Sequence, residues 1–303
     1  MKLHILLLPV VIATLLANFP AAHAQSKPEP LRIIAFGAHP DDAEFQFGGC
    51  AAKYTAMGHK VKLVSVTNGD IGHWKEAGGP LAKRRTAEVM ESAKRGGWEA
   101  EVLDIHDGEI MVTLENRKQI ARLIRDWNAD LVFCHRPFDY HPDHRNAGLL
   151  VRDAAFMIKV PFYVPDTPPV RKQTVFCYFP DRFTVPHAFT ADVAVALSEK
   201  EMDGKVHVVD ALESQVYEGG ALGYPEIYQK RFAHDKVKRK ELLGAVWRNR
   251  QGRVADKHRE ALVRWYGAEF AAKVKYAEAF EICEYGHQPN EAKLRELFPF
   301  YEK

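Results

Sequence analysis

Past the first thirty residues, hydrophobic and polar positions fall into two alternating periods. Residues 31–37 (LRIIAFG) form a short apolar, β-branched run ending at glycine, which predicts a buried strand. A helical stretch follows near 48–57. Residues 60–67 (KVKLVSVT) alternate as a second strand, and 81–95 read as a charged-faced helix stopped by Gly96 and Gly97. The pattern then repeats, with a strand at 102–105, a helix at 115–127 and a strand at 130–134. This order predicts right-handed βαβ crossovers, hence an α/β architecture with a mostly parallel sheet and helices on both faces. Ligands in such sheets sit beyond the carboxyl ends of the strands, so the residues following strands one and four are the first candidates for a site.

The second half is less regular. Residues 161–169 read as a proline-rich loop, 174–179 and 189–197 as strands, and 199–216 as a helix. Between 230 and 260 there are 11 Lys/Arg against 4 Asp/Glu, a basic insertion read as an exposed helix pair. The start of the chain has a different logic. Lys2 gives a positive start, 5–16 is almost wholly apolar, and Ala22-His23-Ala24 makes a small-residue cleavage signal. Residues 1–24 are therefore expected to be a signal peptide cleaved after Ala24, followed by a linker at 25–30, with the mature protein periplasmic or secreted. The apolar run is short for a membrane span, so no stable membrane insertion is expected after cleavage.

Composition narrows the classes further. With 47% hydrophobic and 27% charged residues, the chain of 303 residues is neither disordered nor a disulfide scaffold. Removing 1–24 takes one lysine and no acid from 42 bases and 40 acids, leaving 41 against 40. That balance argues against a nucleic-acid partner. Cys50, Cys134, Cys177 and Cys283 are far apart and show no C-x-x-C spacing, so buried thiols are expected.

Two clusters carry the chemistry. Ala38-His39-Pro40-Asp41-Asp42-Ala43-Glu44 follows the first strand, and His141-Pro142-Asp143-His144 follows the fourth. Singly, each reads as a turn. At matched positions of one sheet they can converge, and imidazole with carboxylate suits a divalent metal such as Zn²⁺, which in catalytic sites takes three protein ligands and an open position. His39 and Asp42 with one histidine of the second cluster would supply three, leaving Asp41 to take a proton from water. A dinucleotide-binding enzyme is disfavoured, because the first turn lacks G-x-G-x-x-G and places acids where a pyrophosphate would approach.

The sequence resembles the zinc-dependent N-acetylglucosaminyl deacetylases related to the PIG-L and LmbE proteins. The resemblance rests on AHPDDAEFQFGG at 38–49 and HPDH at 141–144. It extends through Arg85 and Glu88 of an R-x-x-E, through ESQ at 213–215 and through YAEAF at 276–280. The first motif and YAEAF look most like the bacillithiol-pathway branch. The resemblance implies a Rossmann-like, single catalytic domain over 31–303, with zinc held by His39, Asp42 and His144. It implies Asp41 as general base, His141 as general acid or oxyanion-stabilising imidazolium, Asp143 as the carboxylate orienting that ring, and Arg85 as a substrate-binding residue or the partner of Glu88. The implied reaction removes an N-acetyl group from an N-acetylglucosamine-type sugar or glycoconjugate, releasing acetate and an amine. Alternatives are a zinc amidohydrolase acting on a non-sugar amide and a non-catalytic, metal-containing glycan-binding protein. Self-association is left open. Thr67-Asn68-Gly69-Asp70, where many relatives have T-x-G-E, Asp139-Tyr140 ahead of HPDH, and the long span from Gln215 to Tyr276 depart from the family pattern. Trp74, Phe138, Tyr140 and Tyr163 are candidate sugar-stacking aromatics, although core packing is the commoner fate of each.

Overall fold

The computed structural model describes residues 29–223 and 235–301. The expected signal peptide and residues 230–234 of the basic segment lie outside these residues. Seven strands, β1 (Arg32–Gly37), β2 (Lys60–Thr67), β3 (Glu99–Ile105), β4 (Leu131–Cys134), β5 (Val175–Tyr178), β6 (Val193–Leu197) and β7 (Tyr276–Gly286), form one sheet in the order β3-β2-β1-β4-β5-β7-β6. β3 through β5 are parallel, and β7 runs antiparallel to both its neighbours. The expected mostly parallel α/β sheet is present. Side chains alternate across a strand, so β1 divides its apolar residues between two cores. Ile33 and Ala35 face helices α1 (Asp42–Ala56), α2 (Gly79–Gly96) and α5 (Glu199–Val209), whereas Ile34 and Phe36 face α3 (Leu114–Trp127) and α4 (Pro142–Met157).

Helix α1 starts six residues before the expected helix. The Gly48-Gly49 pair looks like a breaker, yet it lies inside the helix because β6 and β7 pass close by. A Cβ on Gly49 would come within 2.8 Å of Glu278 Oε1 and of Leu197 Cδ1. The Glu278 carboxylate accepts the backbone N–H groups of Gly49 (2.9 Å) and Cys50 (2.7 Å) and pairs with buried Lys205. This clamp fixes α1 so that its first turn projects Asp41 and Asp42 from the end of β1.

The sequence pattern gave no sign of α4, whose first turn is the HPDH motif itself. Pro142 suits the first helical position, where its missing N–H costs nothing, and the His141 ring caps the helix by accepting the Asp143 N–H. The helix expected over 199–216 divides in two. Ser198 and Glu201 cap the start of α5 reciprocally, and a break at 210–212 precedes α6 (Glu213–Val216). The basic segment forms α7 (Lys236–Lys257), followed by α8 (Arg259–Tyr266), α9 (Ala268–Lys273) and α10 (Glu291–Leu297). It is not simply exposed, since Leu243, Trp247 and Ala255 bury one face of α7. All four cysteines are free and buried. Among the described residues no helix is long and apolar enough to cross a membrane.

Candidate metal centre and active site

β1 has β2 on one side and β4 on the other, so the crevice of the sheet opens where the connections diverge. The β1–α1 turn, the β4–α4 loop and the residues after β3 meet there, around a pocket of about 740 Å³. At its floor Asp42 Oδ2 lies 3.2 Å from His39 Nδ1 and 3.4 Å from His144 Nε2. A tetrahedral centre with bonds of about 2.0–2.1 Å spaces its ligand atoms about 3.3–3.4 Å apart, close to the two separations measured from Asp42. The far nitrogens of both rings are backed by carboxylates. His39 Nε2 faces Asp107 Oδ1 (3.1 Å) and Asp143 Oδ2 (3.3 Å), and His144 Nδ1 faces Asp139 Oδ1 (3.0 Å). Carboxylates in this position fix a ring's tautomer and direct its other nitrogen toward a metal.

The electrostatics favour a cation. Burial opposes charge on His144, but Asp42 and Asp139 together push it up to about 10, and His39 is likewise held well above the ordinary value against its burial by Asp107, Asp143 and Asp42. Burial also opposes ionisation of Asp42, yet the adjoining rings of His144 and His135 keep its carboxyl well below the usual range. A site that draws protons so strongly onto imidazoles is one in which a divalent ion can take their place. Glu44 adds nothing to this field, since burial pushes its carboxyl up to about 8 and it carries a proton at neutral pH.

Asp41 stands at the N-cap position of α1 without a side-chain capping bond and projects beside this cluster, with Oδ2 at 3.4 Å from Arg85 Nη2. Burial raises its pKa, and Arg85 works against that rise. Arg85 is 2% exposed. It donates to the carbonyls of Gly69 and Pro40, both at 3.3 Å, and its Nη1 lies 3.6 Å from Asp107 Oδ2. The chain can wrap it only because two glycines give way, a Cβ at Gly72 or Gly69 falling 2.1 or 2.4 Å from Nη1. Arg85 thus holds Asp41 and offers almost no surface to a substrate. The alternative pairing with Glu88 is not formed, because Glu88 accepts from Ser214 N (3.0 Å) and Ser214 Oγ (2.6 Å) and pairs with Arg84.

His141 sits on the pocket wall, half-buried, its Nδ1 accepting the Asp143 N–H at 3.2 Å. That bond places the ring proton on Nε2. Burial, with His39 and His144 nearby, lowers its pKa, which favours the neutral ring. The expected role of Asp143 needs correction. Its carboxylate does not hold His141 but accepts from Gly108 N (2.6 Å) and Ile110 N (3.0 Å) and faces His39. The side chain at the second position of α4 turns toward the residues after β3, and only its backbone reaches His141.

Two residues of the cluster were not expected from the sequence. Asp107 backs His39 and faces Arg85. His135, at the end of β4, stacks on His144 with ring centroids 4.1 Å apart, and its Nε2 accepts the Ala38 N–H at 3.1 Å. The same nitrogen lies 3.3 Å from Asp42 Oδ2, and Asp42, His135 and His144 form one buried group able to hold a metal, as His39, His141 and His144 form another. Asp70 lies outside the pocket, bonded to His106 Nδ1 (2.6 Å) and the Asp107 N–H (3.1 Å). Of the four candidate aromatics only Tyr140, 65% exposed, lines the pocket.

Residues 34–155 match the family described as PIG-L, GlcNAc-PI de-N-acetylase. The likeness to that family lies in this segment. It contains every residue of the cluster, from His39 to His144, whereas Gln215 and α7 fall outside it. Diacetylchitobiose deacetylase of Thermococcus kodakarensis is 33% identical over 136 residues, which are 43% of this chain and 51% of that protein. The chain thus spans about half the length of this relative. The N,N'-diacetylchitobiose deacetylase from Pyrococcus horikoshii superposes with a TM-score of 0.62 at 22% identity over 83% of each chain. GalB, the 4-carboxy-2-hydroxymuconate hydratase of Pseudomonas putida KT2440, does so with a TM-score of 0.66 at 17% identity, over 86% of this chain and 99% of that one. A fold shared by a deacetylase and a hydratase does not choose the reaction, which has to be argued from the PIG-L segment's own side chains.

Proposed function

We propose that the protein is a zinc-dependent N-deacetylase that hydrolyses the acetamido group of an N-acetylglucosamine-type sugar, and that it works outside the cytoplasm after cleavage behind Ala24. The observation that carries the reading is the placing of Asp41, held by Arg85, beside the His39–Asp42–His144 cluster in one pocket with His141. The 33% identity over 136 residues to a diacetylchitobiose deacetylase supports the sugar amide as substrate. A zinc ion bound by His39, Asp42 and His144 would polarise the acetyl carbonyl and acidify the attacking water.

The chain's own groups do the rest. Asp41 accepts a proton as the water oxygen bonds to the acetyl carbon. The neutral His141 ring donates its Nε2–H to the oxyanion that develops, a role that needs no imidazolium. When the C–N bond breaks, Asp41 returns the proton to the sugar nitrogen, leaving acetate and a free amine. Arg85 keeps Asp41 aimed throughout.

Zinc-loaded protein is expected to release acetate from N,N'-diacetylchitobiose or a related N-acetylglucosamine derivative, and no acetate from any of them would overturn the reading. Export is checked separately: protein recovered from the periplasm or medium should begin at Gln25, and an intact Met1 terminus in the cytoplasm would contradict it.

A further inference from the structure

Glu88 of the R-x-x-E motif and the ESQ motif at 213–215 take no part in the reaction, yet they meet. Glu88 of α2 accepts both Ser214 groups, N at 3.0 Å and Oγ at 2.6 Å, and so fixes the start of α6. The next residue, Gln215, is a wall of the catalytic pocket. Its Nε2 donates to Ser214 Oγ and to the Gly72 carbonyl, each at 3.1 Å. Its Oε1 faces Gly220, where a Cβ would fall 2.5 Å away, so the amide is held on both sides. Two further contacts tie the same stretches together. Trp74 N donates to the Gly220 carbonyl at 2.9 Å, and His73 Nε2 lies 2.9 Å from Glu218 Oε2.

Gly72 belongs to the turn that confines Arg85. The turn closes through Gly72 N to the Gly69 carbonyl at 3.1 Å, with both glycines packed against the guanidinium. Every polar contact of Arg85 is long: 3.4 Å to Asp41, 3.6 Å to Asp107, and 3.3 Å to each of the Gly69 and Pro40 carbonyls. Among the described residues its Nε has no hydrogen-bond partner. Strong bonds from a guanidinium to a carboxylate run at about 2.7–2.9 Å, so these contacts do not by themselves fix the group. Its position is set by confinement, and the turn at 69–72 is one wall of the confinement.

We infer that Gln215 is a positioning residue for the base: by holding the Gly72 carbonyl it keeps the turn pressed on Arg85, and Arg85 keeps Asp41 aimed. The inference rests on the deacetylase reading of the pocket and deepens it. It gives Glu88 and the ESQ motif one task, in which Glu88 anchors Ser214 and Ser214 orients the Gln215 amide. Gln215 lies outside the PIG-L segment, so the aim of a base inside that segment depends on a side chain beyond it.

The test compares the zinc-loaded wild-type chain with Gln215→Met, which keeps the length of the side chain and removes its donor, on N,N'-diacetylchitobiose. In the variant kcat should fall about tenfold, with KM within about twofold and zinc content unchanged. An unchanged kcat overturns the proposal, and so does a rise in KM at constant kcat, which would make Gln215 a substrate-binding residue. Amide hydrogen exchange at Gly72 and Trp74 reads the tie without turnover. It should quicken about tenfold in Gln215→Met while exchange in α4 stays the same, and unaltered exchange overturns the proposal whatever the kinetics. In a double-mutant cycle Arg85→Lys should absorb most of the effect of Gln215→Met, whereas additive losses would show that Gln215 does not act through Arg85. Should Arg85→Lys fail to fold, the exchange rates and the split between kcat and KM decide alone. If the wild-type chain releases no acetate the deacetylase reading fails; faster exchange at Gly72 and Trp74 in Gln215→Met then still supports Gln215 as the residue that holds the wall of Arg85, and equal exchange overturns it.

Discussion

Asp107 shows how a single residue can be decisive and yet unreadable in advance. It stands in His106-Asp107-Gly108, a sequence that reads as an ordinary turn, and it gains meaning only because its carboxylate lies 3.1 Å from His39 Nε2. Its position directly after β3 was the available signal, since that is where an open sheet builds its crevice. His135 likewise follows β4 directly. The motif residues His39, Asp41, Asp42, His141 and His144 were legible because two clusters at strand ends can meet only there. The contacts of Asp143 and Arg85 were not, because motif spacing does not say which way a side chain turns. Replacing Asp107 with Asn should weaken zinc binding about 10–100-fold with all three ligands intact, as measured by chelator competition. An unchanged zinc affinity would remove Asp107 from the site. His141→Ala should lower kcat about 10²–10³-fold and keep its zinc. Loss of metal in that variant would make His141 a ligand instead of an oxyanion donor.

Among the elements, α1 depends most on distant parts of the chain. Glu278 of β7 caps the Gly49 and Cys50 N–H groups, and Lys205 of α5 neutralises it, both buried. The YAEAF motif therefore contributes a structural clamp rather than chemistry. Truncating one partner leaves the other charged in a dry interior, so Glu278→Ala should cost about 3–5 kcal/mol in urea unfolding, and the double variant Lys205→Met/Glu278→Leu should cost less. A single variant as stable as the wild type would mean the pair does not hold α1. The junction of α7 and α8 gives a pH signature. Burial, reinforced by Lys257, pushes His258 down to about 4, whereas in an unfolded chain it titrates near 6.5. The unfolded state then takes up a proton that the folded state refuses. Its contribution to stability is complete above pH 6.5 and declines as pH falls to 4, by up to about 3 kcal/mol. His258→Leu should flatten stability across that window, and an unaltered slope would show that the ring is solvated.

For the molecule as a whole, the alternation of strand and helix over residues 31–134 foretold four of the five parallel strands. The antiparallel β7 and helix α4 escaped because each begins inside a motif whose chemistry masks its periodicity. Near-neutral overall charge said little about the substrate, since several bases of α7 are neutralised against Asp210 and the acids of α5 and α6. The central claim is that one pocket joins a metal to the base Asp41. It is tested most directly by measuring, in the same samples, zinc content and acetate released from N,N'-diacetylchitobiose by the wild-type chain and by Asp41→Asn. About one zinc per chain is expected in both, with acetate release at least about 10²-fold slower in the variant and abolished in the wild type by chelation. Acetate release by Asp41→Asn at the wild-type rate, or by chelated wild-type protein at full rate, would contradict the account.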